Sequence, residues 1–267
     1  QAFIKDHAGI SANMTPFFLV MPEDAGVIDP VVIATSYKGE IKAMEPQLNA
    51  LVERAYNHAS LALQPNADKK IATFIWNYPP GERNVGAAFL DVPASIEQIA
   101  TKLKQEGYGI EPKEAETLIE EANALLRPYY RGEGIEALID KGLADLLPLS
   151  VYMKWFNALP EYVRTPINER WGNPQESKAL VERDGEQYFV IPRLSLGNMI
   201  VLPQGLRGDT AKEHSDLYHD TKQAINHGYL ATYLYVRDIF AANALIHLGT
   251  HGSQEWLGGK ERGLSVY

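Results

Sequence analysis

The sequence contains 267 residues with a formal net charge of −9 at pH 7, and it has no cysteine. The acidic balance disfavours nucleic-acid binding, which needs a basic surface to neutralise phosphates. The lack of cysteine excludes disulfides, thiolate metal sites and cysteine nucleophiles. No apolar run approaches the roughly 18 residues of a membrane-spanning helix.

The two ends of the chain indicate a piece of a longer protein. The chain begins at Gln1 without a methionine, and it stops shortly after a dense Gly, His and Glu cluster. Because chain termini fray, a functional site so close to an end would be poorly supported. We therefore expect that part of the parent chain is missing.

Strand and helix patterns alternate in the first 111 residues. Short apolar, β-branched runs predict strands at Pro16–Met21, Val31–Thr35 and Lys70–Trp76. Helical spacing of apolar residues predicts helices at Ile41–Leu63 and Ile96–Gln105, the second with Ser95 as its N-cap.

The middle of the chain has a helical pattern throughout, with prolines at 128 and 148 as expected breaks. The predicted helices are Lys113–Leu126, Gly134–Leu147, Tyr152–Leu159 and Glu161–Trp171. We interpret residues 112–175 as a helical insertion or subdomain.

Strand and helix patterns alternate again in the last part of the chain. Strands are predicted at Tyr188–Pro192, Asn198–Leu202 and Leu245–Leu248, with an apolar helix at Gly228–Ala244. The pattern predicts an α/β fold, with strand–helix layers at both ends and a helical insertion in the middle. The corresponding segments are 1–111, with an NYPPG loop, 112–175, and 176–267, which carries a His/Glu cluster.

That cluster, His247–Lys260, offers the richest chemistry in the sequence. Side chains alternate along an extended segment, so His247 and His251 would face the same side, and Glu255 adds a carboxylate four residues later. Neutral imidazole and carboxylate suit a divalent cation or a proton transfer near neutral pH. The alternative is that these are core histidines and that the glycines only turn the chain.

Two further groups of residues are candidates on weaker grounds. His214, His219 and His227 fall close together beside Asp216 and Asp220, although the spacing alone favours a solvated helix or loop face. The loop that contains Arg83 and Asn84 follows a predicted strand, which is a common place for a ligand loop in α/β folds. No sequence with the spacing and context of a phosphate-binding loop is present.

Five groups of residues resemble, in the same order, the motifs of the large subunits of metal chelatases, the CobN and magnesium-chelatase H-subunit family. They are Asn77–Gly81 with Asn84–Pro93, Leu159–Pro160 with Trp171–Pro174, Gly197–Asn198 with Gln204 and Arg207–Gly208, Tyr218–Asp220 with His227–Ala231, and His247–Lys260. The sequence departs from the family at Ile225–Asn226, Gly205 and Gly258, where the family has prolines. These departures change loop rigidity and remove no candidate ligand.

The resemblance implies a subunit that binds a tetrapyrrole, either a porphyrin or a corrin precursor, and inserts a divalent metal ion. The residues of the last motif resemble the cobalt branch of the family, which favours Co²⁺ and cobalamin biosynthesis. Mg²⁺ and then Fe²⁺ are further candidates. The resemblance also implies that ATP is used by AAA+ partner subunits of a cytoplasmic multi-subunit complex and is not bound by this chain.

The same resemblance assigns expected roles to individual residues. Glu255, His251 and His247 form the expected catalytic and metal-handling centre, with Glu255 as the base that removes the N–H protons of the macrocycle. His219 and His227 are further expected metal ligands. Residues expected to bind the macrocycle are Arg207, Arg83, Asn84, Tyr229, Trp256 and His214; for Tyr229 and Trp256, core packing is the alternative.

Three other functions stay open. A divergent homologue could remove metal from a tetrapyrrole, for example iron from haem, and it would then be expected in the periplasm. A non-catalytic tetrapyrrole-binding protein would use the same pocket without turnover. An unrelated His/Glu metallohydrolase would hold a tightly bound zinc ion.

Overall fold

The computed structural model describes residues 2–28, 30–76, 85–87, 89–131, 135–217, 219–249 and 257–263. The fold is mixed α/β, as the sequence predicts. The chain forms two compact units, one from Gln1–Leu63 with Gly258–Tyr267 and the other from Gln64–Leu257. Within the described residues, no helix combines the length and apolar character that crossing a membrane requires. The division into segments 1–111, 112–175 and 176–267 stays a prediction.

The smaller unit contains a β-hairpin and one long helix. Its elements are α1 (Ala2–Lys5), a π-helical turn (Pro16–Val20), α2 (Met21–Asp24), β1 (Ala34–Tyr37), β2 (Glu40–Ala43) and α3 (Glu45–Leu63). Lys38 and Gly39 join the two antiparallel strands with φ values of 52° and 81°, which suits the tight turns of β-hairpins.

This hairpin accounts for two differences from the predicted elements. Ile41 pairs with Ser36 in the hairpin, so the helix predicted from residue 41 begins only at Glu45. The strand predicted at residues 31–35 begins only at Ala34, because the pairing of the hairpin starts with Ala34 and Ala43. The strand predicted at Pro16–Met21 is wrong, because the segment is helical. Pro16 is the first residue of that helical turn, where its fixed φ favours helix and its missing N–H costs nothing.

The larger unit is organised around a four-stranded sheet. Its strands are β3 (Ile71–Ile75), β7 (Leu194–Leu196), β8 (Met199–Pro203) and β9 (Ala244–Leu248), in the order β7-β8-β3-β9. The central strand β3 pairs in parallel with β8 and β9, whereas β7 is antiparallel to β8. All residues of β3 are buried, as a near-continuous apolar run in a parallel sheet predicts.

A second, antiparallel sheet contains β4 (Ala144–Pro148), β5 (Leu180–Arg183) and β6 (Glu186–Pro192), in the order β4-β6-β5. The helix predicted at Gly134–Leu147 is therefore wrong in its second half. The helix α6 ends at Asp140, and Gly142 then adopts a φ of 67°, the left-handed conformation that commonly stops a helix.

Helices cover both faces of the four-stranded sheet. They are α4 (Val92–Gln105), α5 (Ala115–Arg131), α6 (Ile135–Asp140), α7 (Leu149–Ala158), α8 (Glu161–Trp171), α9 (Ala211–Leu217) and α10 (His227–Leu234), which continues into a π-helical turn at Tyr235–Ile239. The N-cap of α4 is Asp91, which accepts a hydrogen bond from the Ala94 N–H at 3.1 Å, and not Ser95 as predicted. Pro128 lies in the last turn of α5 and does not end the helix.

Side-chain alternation along the parallel strands divides the core into two layers. Ile71 and Ile75 of β3 pack with α4, α5 and α6, while Ala72 and Phe74 pack with α7, α8 and α10. Phe74 pairs in register with His247 of β9, and neighbouring residues in register share one face of a parallel sheet. The alternation therefore places His247 on the α10 side.

A charged network ties the second sheet to the end of α10. Arg193 donates hydrogen bonds to both carboxylate oxygens of Asp145 in β4, at 2.8 and 2.6 Å, and the Tyr235 hydroxyl donates to the same carboxylate. Burial alone would raise the pKa of Asp145, but the hydrogen bonds from Arg193 and Tyr235 and the charge of Arg193 outweigh it. The pKa of Asp145 is therefore lowered, and its ionised form stabilises the fold.

We predict that Asp145→Asn lowers the free energy of unfolding by about 2 kcal/mol at pH 7, because charged hydrogen bonds are lost. A carboxyl group with a lowered folded pKa stabilises fully above its unfolded pKa of about 3.9. That contribution disappears as the pH falls through the folded pKa. The difference between wild type and variant, measured by urea unfolding, should therefore shrink in acid.

The matched control is Asp238→Asn, which removes an exposed ion pair with Arg237. It should change the free energy of unfolding by less than about 0.5 kcal/mol. Equal losses for both variants, or a loss at Asp145 that is independent of pH, would contradict the prediction.

Candidate functional site

The carboxyl ends of the three parallel strands meet along one edge of the four-stranded sheet, which we call the carboxyl edge. Trp76 follows β3, Gln204 follows β8, and Gly249 follows β9. In open α/β sheets, ligands bind in the crevice outside this edge. The predicted residue His247 lies one residue before the end of β9, at the carboxyl edge.

The His247 ring is fixed by aromatic neighbours and one hydrogen bond. It stacks on Phe74 at a centroid distance of 5.5 Å, and its Nε2 lies 3.2 Å from the Tyr233 hydroxyl. Partial burial lowers the pKa of His247. Its imidazole is consequently neutral at pH 7, the form that binds metals or accepts protons.

Three residues that organise this position received no site role from the sequence, namely Phe74, Tyr233 and Gln204. Tyr233 stacks on Phe74 at 4.7 Å and on Tyr229 at 5.2 Å. The side chain of Gln204, only 6% exposed, donates hydrogen bonds to the Tyr233 and Tyr229 hydroxyls at 2.9 and 3.2 Å. Two signals were available: a polar residue directly after a fully apolar strand, and tyrosines spaced four apart on a helix.

Arg207, expected to clamp a macrocycle carboxylate, has a different position. It is 1% exposed, and its guanidinium donates hydrogen bonds to the carbonyls of Leu217 and Asp220 at 2.7 and 2.6 Å. The expected clamp is therefore not supported by the geometry. Arg207 instead holds together the loop that follows β8 and the segment around α9.

His214 belongs to the same buried loop. Its Nδ1 accepts a hydrogen bond from the Arg207 backbone N–H at 3.0 Å, and its ring meets the edge of Trp76 at 5.7 Å. Burial, followed by the charge of Arg207, lowers the pKa of His214 to about 4. A histidine that is neutral and buried in this way supports the wall of the site, and the geometry does not favour the macrocycle contact expected for it.

The other two histidines of this region lie apart from His247. His227 is buried, with Nδ1 at 2.8 Å from the Tyr152 hydroxyl and Nε2 at 3.0 Å from the Gly172 carbonyl. Because protein groups engage both ring nitrogens, this arrangement is that of a core histidine and not of the expected metal ligand. His219 is exposed and lines an open depression with Asp216 and Asp220.

Five predicted site residues lie outside the described residues, and their roles stay predictions. They are Arg83, Asn84, His251, Glu255 and Trp256. Their convergence with His247 is therefore also a prediction. Among the residues that the structure does describe, no group of three or more His, Asp or Glu side chains is arranged to hold a metal ion.

A cavity of ≈ 470 Å³ lies next to this cluster, which is within the usual range for small-molecule sites. Tyr229, the neighbour of Gln204, forms part of its wall, and so do Tyr129 and Tyr130 at the end of α5. Lys178 and Arg131 add cationic groups to the lining. The cavity can therefore accept a ligand with aromatic surface and negative charge.

The side chain of Asn226 orders the part of the cavity wall between α10 and the loop after β8. It accepts a hydrogen bond from the Tyr229 N–H at 2.8 Å, as the N-cap of α10, and donates to the Leu206 carbonyl at 3.0 Å. This hydrogen-bonded cap makes the start of α10 more rigid.

We predict that Arg207→Leu lowers the free energy of unfolding by about 3 kcal/mol, because buried carbonyl groups lose charged hydrogen bonds. Hydrogen exchange should show faster exchange in the segment around α9. Arg170→Leu, at an exposed arginine, is the control and should have little effect. If Arg207→Leu had normal stability but bound the tetrapyrrole more weakly, the result would support Arg207 as the carboxylate clamp.

Comparisons with known proteins identify the family of this chain. A family model described as CobN/Magnesium Chelatase matches residues 1–267. An aerobic cobaltochelatase subunit CobN from Pseudomonas aeruginosa is 34% identical over 84% of this chain and 17% of the relative. The H-subunit of the magnesium chelatase from Chlorobaculum parvum is 29% identical over 96% of this chain and 20% of the relative.

A solved structure gives the same result. The catalytic subunit of cobaltochelatase from Mycobacterium tuberculosis superposes with a TM-score of 0.78 at 27% identity, covering 98% of this chain and 22% of that one. The chain thus spans about a fifth of the length of the relatives that it matches. These matches confirm the resemblance seen in the five motifs, and the chain belongs to the CobN/magnesium-chelatase family.

Proposed function

We propose that this chain is part of the large, tetrapyrrole-binding subunit of a metal chelatase that inserts a divalent metal ion. The observation that carries the proposal is the family match over residues 1–267. Its relatives are named as cobaltochelatase and magnesium-chelatase subunits, so metal insertion is the chemistry they share. We favour Co²⁺ over Mg²⁺ and Fe²⁺ as the metal substrate. ATP would be used by AAA+ partner subunits in the cytoplasm.

The chemistry of insertion matches the residue types at the carboxyl edge. A metal ion that enters the macrocycle displaces protons from ring nitrogens and exchanges its bound water. Weak, exchangeable nitrogen and oxygen ligands suit this transfer better than thiolates do. We propose that His247, His251 and Glu255 handle the metal, with Glu255 as the base. The neutral state and fixed ring of His247 support its part in this assignment.

We further propose that the cavity beside Tyr229 receives an edge of the macrocycle. Tyrosine rings in its wall suit an aromatic ligand, and cationic groups in its lining suit the carboxylates at the rim of a tetrapyrrole. Arg83, Asn84 and Trp256 remain proposed contacts on the basis of their motifs. Arg207 is not part of this proposal, because its guanidinium is buried against backbone carbonyls.

The main test uses the full-length protein with its ATPase partners and porphyrin and corrin precursors, each with Co²⁺, Mg²⁺ or Fe²⁺. We predict that Glu255→Gln lowers the chelation rate by about 100-fold or more, as loss of a catalytic base does. The tetrapyrrole Kd, from absorbance titration, should change by less than about 3-fold. His58→Gln, at an exposed histidine of α3, is the matched control.

The outcomes separate the candidate functions. Chelation that survives Glu255→Gln would contradict the assignment of the base. Tetrapyrrole binding without turnover, even in the complete wild-type complex, would make the protein a non-catalytic binding protein. The absence of any absorbance change with every tetrapyrrole would contradict the proposed function as a whole.

A separate prediction tests the cavity. Lys178→Glu should raise the tetrapyrrole Kd by about 10-fold, equivalent to about 1.4 kcal/mol, because a negative charge replaces a positive one beside Asp209. The effect should weaken at high salt. Lys154→Glu, on the exposed surface of α7, makes the same charge change outside the cavity lining. Equal effects of the two variants would show only a general charge effect and would contradict the cavity assignment.

A further inference from the structure

A buried histidine joins two of the segments that resemble the family motifs. His227 is 1% exposed and is the first residue of α10. Its Nε2 lies 3.0 Å from the carbonyl oxygen of Gly172, directly after α8. Beside this contact, the Trp171 indole N–H donates to the Ala224 carbonyl at 2.8 Å. The turn after α8 therefore holds the chain at two points, just before α10 and at its start.

The backbone of Gly172 adopts a conformation that depends on glycine. Its φ is 75° and its ψ is −173°, a combination essentially confined to glycine. Any other residue would be strained here. The position of the carbonyl that His227 contacts therefore follows from the Trp-Gly pair in the sequence.

The directions of both hydrogen bonds of His227 are determined. A carbonyl oxygen accepts and cannot donate, so the proton lies on Nε2 and is donated to Gly172. Burial lowers the pKa of His227 and outweighs the hydrogen bond to Gly172 and the charge of Asp209, which raise it. The ring is therefore neutral at pH 7 and carries one proton. Its Nδ1 consequently accepts from the Tyr152 hydroxyl at 2.8 Å.

The first turn of α10 has this anchor on one side and the cavity on the other. The His227 ring packs edge to face with Tyr152 and Phe156 of α7, at centroid distances of 5.7 and 5.1 Å. Successive residues of a helix are rotated by about 100°, so the residues that follow His227 face another direction. The part of the cavity wall at the start of α10 consists of Asn226, Gly228, Tyr229 and Thr232.

The wall at the start of α10 packs closely against the segment that carries Lys178. A Cβ atom at position 228 would lie 3.1 Å from the Cβ of Ala179, which is tighter than ordinary van der Waals contact. Gly228, Ala179 and Lys178 all line the cavity. A displacement of α10 would therefore change both the width of the cavity and the position of its cationic side.

We infer that His227 is a positioning residue that holds the first turn of α10 in place as a wall of the cavity. It acts from the core, through the Gly172 carbonyl and the Tyr152 hydroxyl. The inference rests on the proposed function in that the cavity receives an edge of the macrocycle. In place of the metal ligation expected from the resemblance, His227 supports macrocycle binding without touching the metal ion or the macrocycle.

The first test is nitrogen NMR of the 267-residue chain labelled with ¹⁵N in histidine, at pH 7. His227→Gln identifies the signals of His227. We expect the chemical shifts of a protonated Nε2 and an unprotonated Nδ1. A proton on Nδ1 alone, or on both nitrogens, would overturn the hydrogen-bond scheme and the inference with it.

The second test is absorbance titration of the full-length protein with deuteroporphyrin IX, a porphyrin with propionate side chains. His227→Leu removes a partner from two buried groups and should raise the porphyrin Kd by about 10-fold. Hydrogen exchange in the first turn of α10, relative to that of β3, should become faster. His227→Gln, whose amide can donate to the Gly172 carbonyl, should return the Kd to within about 3-fold of the wild type.

The control for a general loss of stability is Ile96→Ala. Ile96 is buried in α4, in the core layer on the other face of the sheet, and its truncation leaves a cavity there. This variant should lower the stability at least as much as His227→Leu does. Its porphyrin Kd should nevertheless stay within about 3-fold of the wild type.

The outcomes separate the inference from the proposed function. An unchanged Kd and unchanged relative exchange in His227→Leu would overturn the inference. A failure of His227→Gln to restore binding, or equal weakening by Ile96→Ala, would overturn it as well. If the wild type bound no porphyrin, that result would count against the proposed function, and the exchange comparison would still decide whether His227 anchors α10.

Discussion

The contacts of one buried ring, Phe74, determine the geometry of the carboxyl edge. Side chains alternate along β3, so Phe74 lies on the face covered by α10, and it pairs in register with His247 of β9. Its ring stacks on both Tyr233 and His247. A shift of one residue in the pairing of β9 would move His247 to the opposite face. The position of the candidate ligand thus depends on the packing of the hydrophobic core.

The wall of the site depends on a buried arginine in a comparable way. The segment from the end of α9 to Asp220 has carbonyl groups, at Leu217 and Asp220, that need hydrogen-bond donors when they are buried. Arg207 supplies them through its guanidinium, and its backbone N–H holds His214. Burial, followed by the charge of Arg207, lowers the pKa of His214, so that histidine stays neutral. A residue type usually associated with binding anions here stabilises the protein scaffold.

The sequence predicts much of the larger unit and less of the site. The strands β3, β8 and β9 are predicted to within one residue, because each is a short apolar run bounded by polar or turn residues. The strand β4 is missed because its residues continue a helical pattern, and only pairing with β6, a contact distant in sequence, makes it a strand. Tyr233 and Gln204 are missed because their partners are brought close only by the fold. The incorrect role of Arg207 has the same origin.

The described side chains nearest His247 at the carboxyl edge are neutral polar groups. Gln204 and Tyr233 carry no charge, partial desolvation lowers the pKa of His247, and burial lowers that of His214 to about 4. A dication is poorly stabilised by such groups alone, since the separation of a metal ion from water is costly unless anionic ligands compensate. Under the proposed function, that compensation comes from the deprotonated macrocycle and from Glu255. A site with few fixed charges would then hold the metal ion weakly until the ring nitrogens lose their protons, which favours transfer to the ring over retention by the protein.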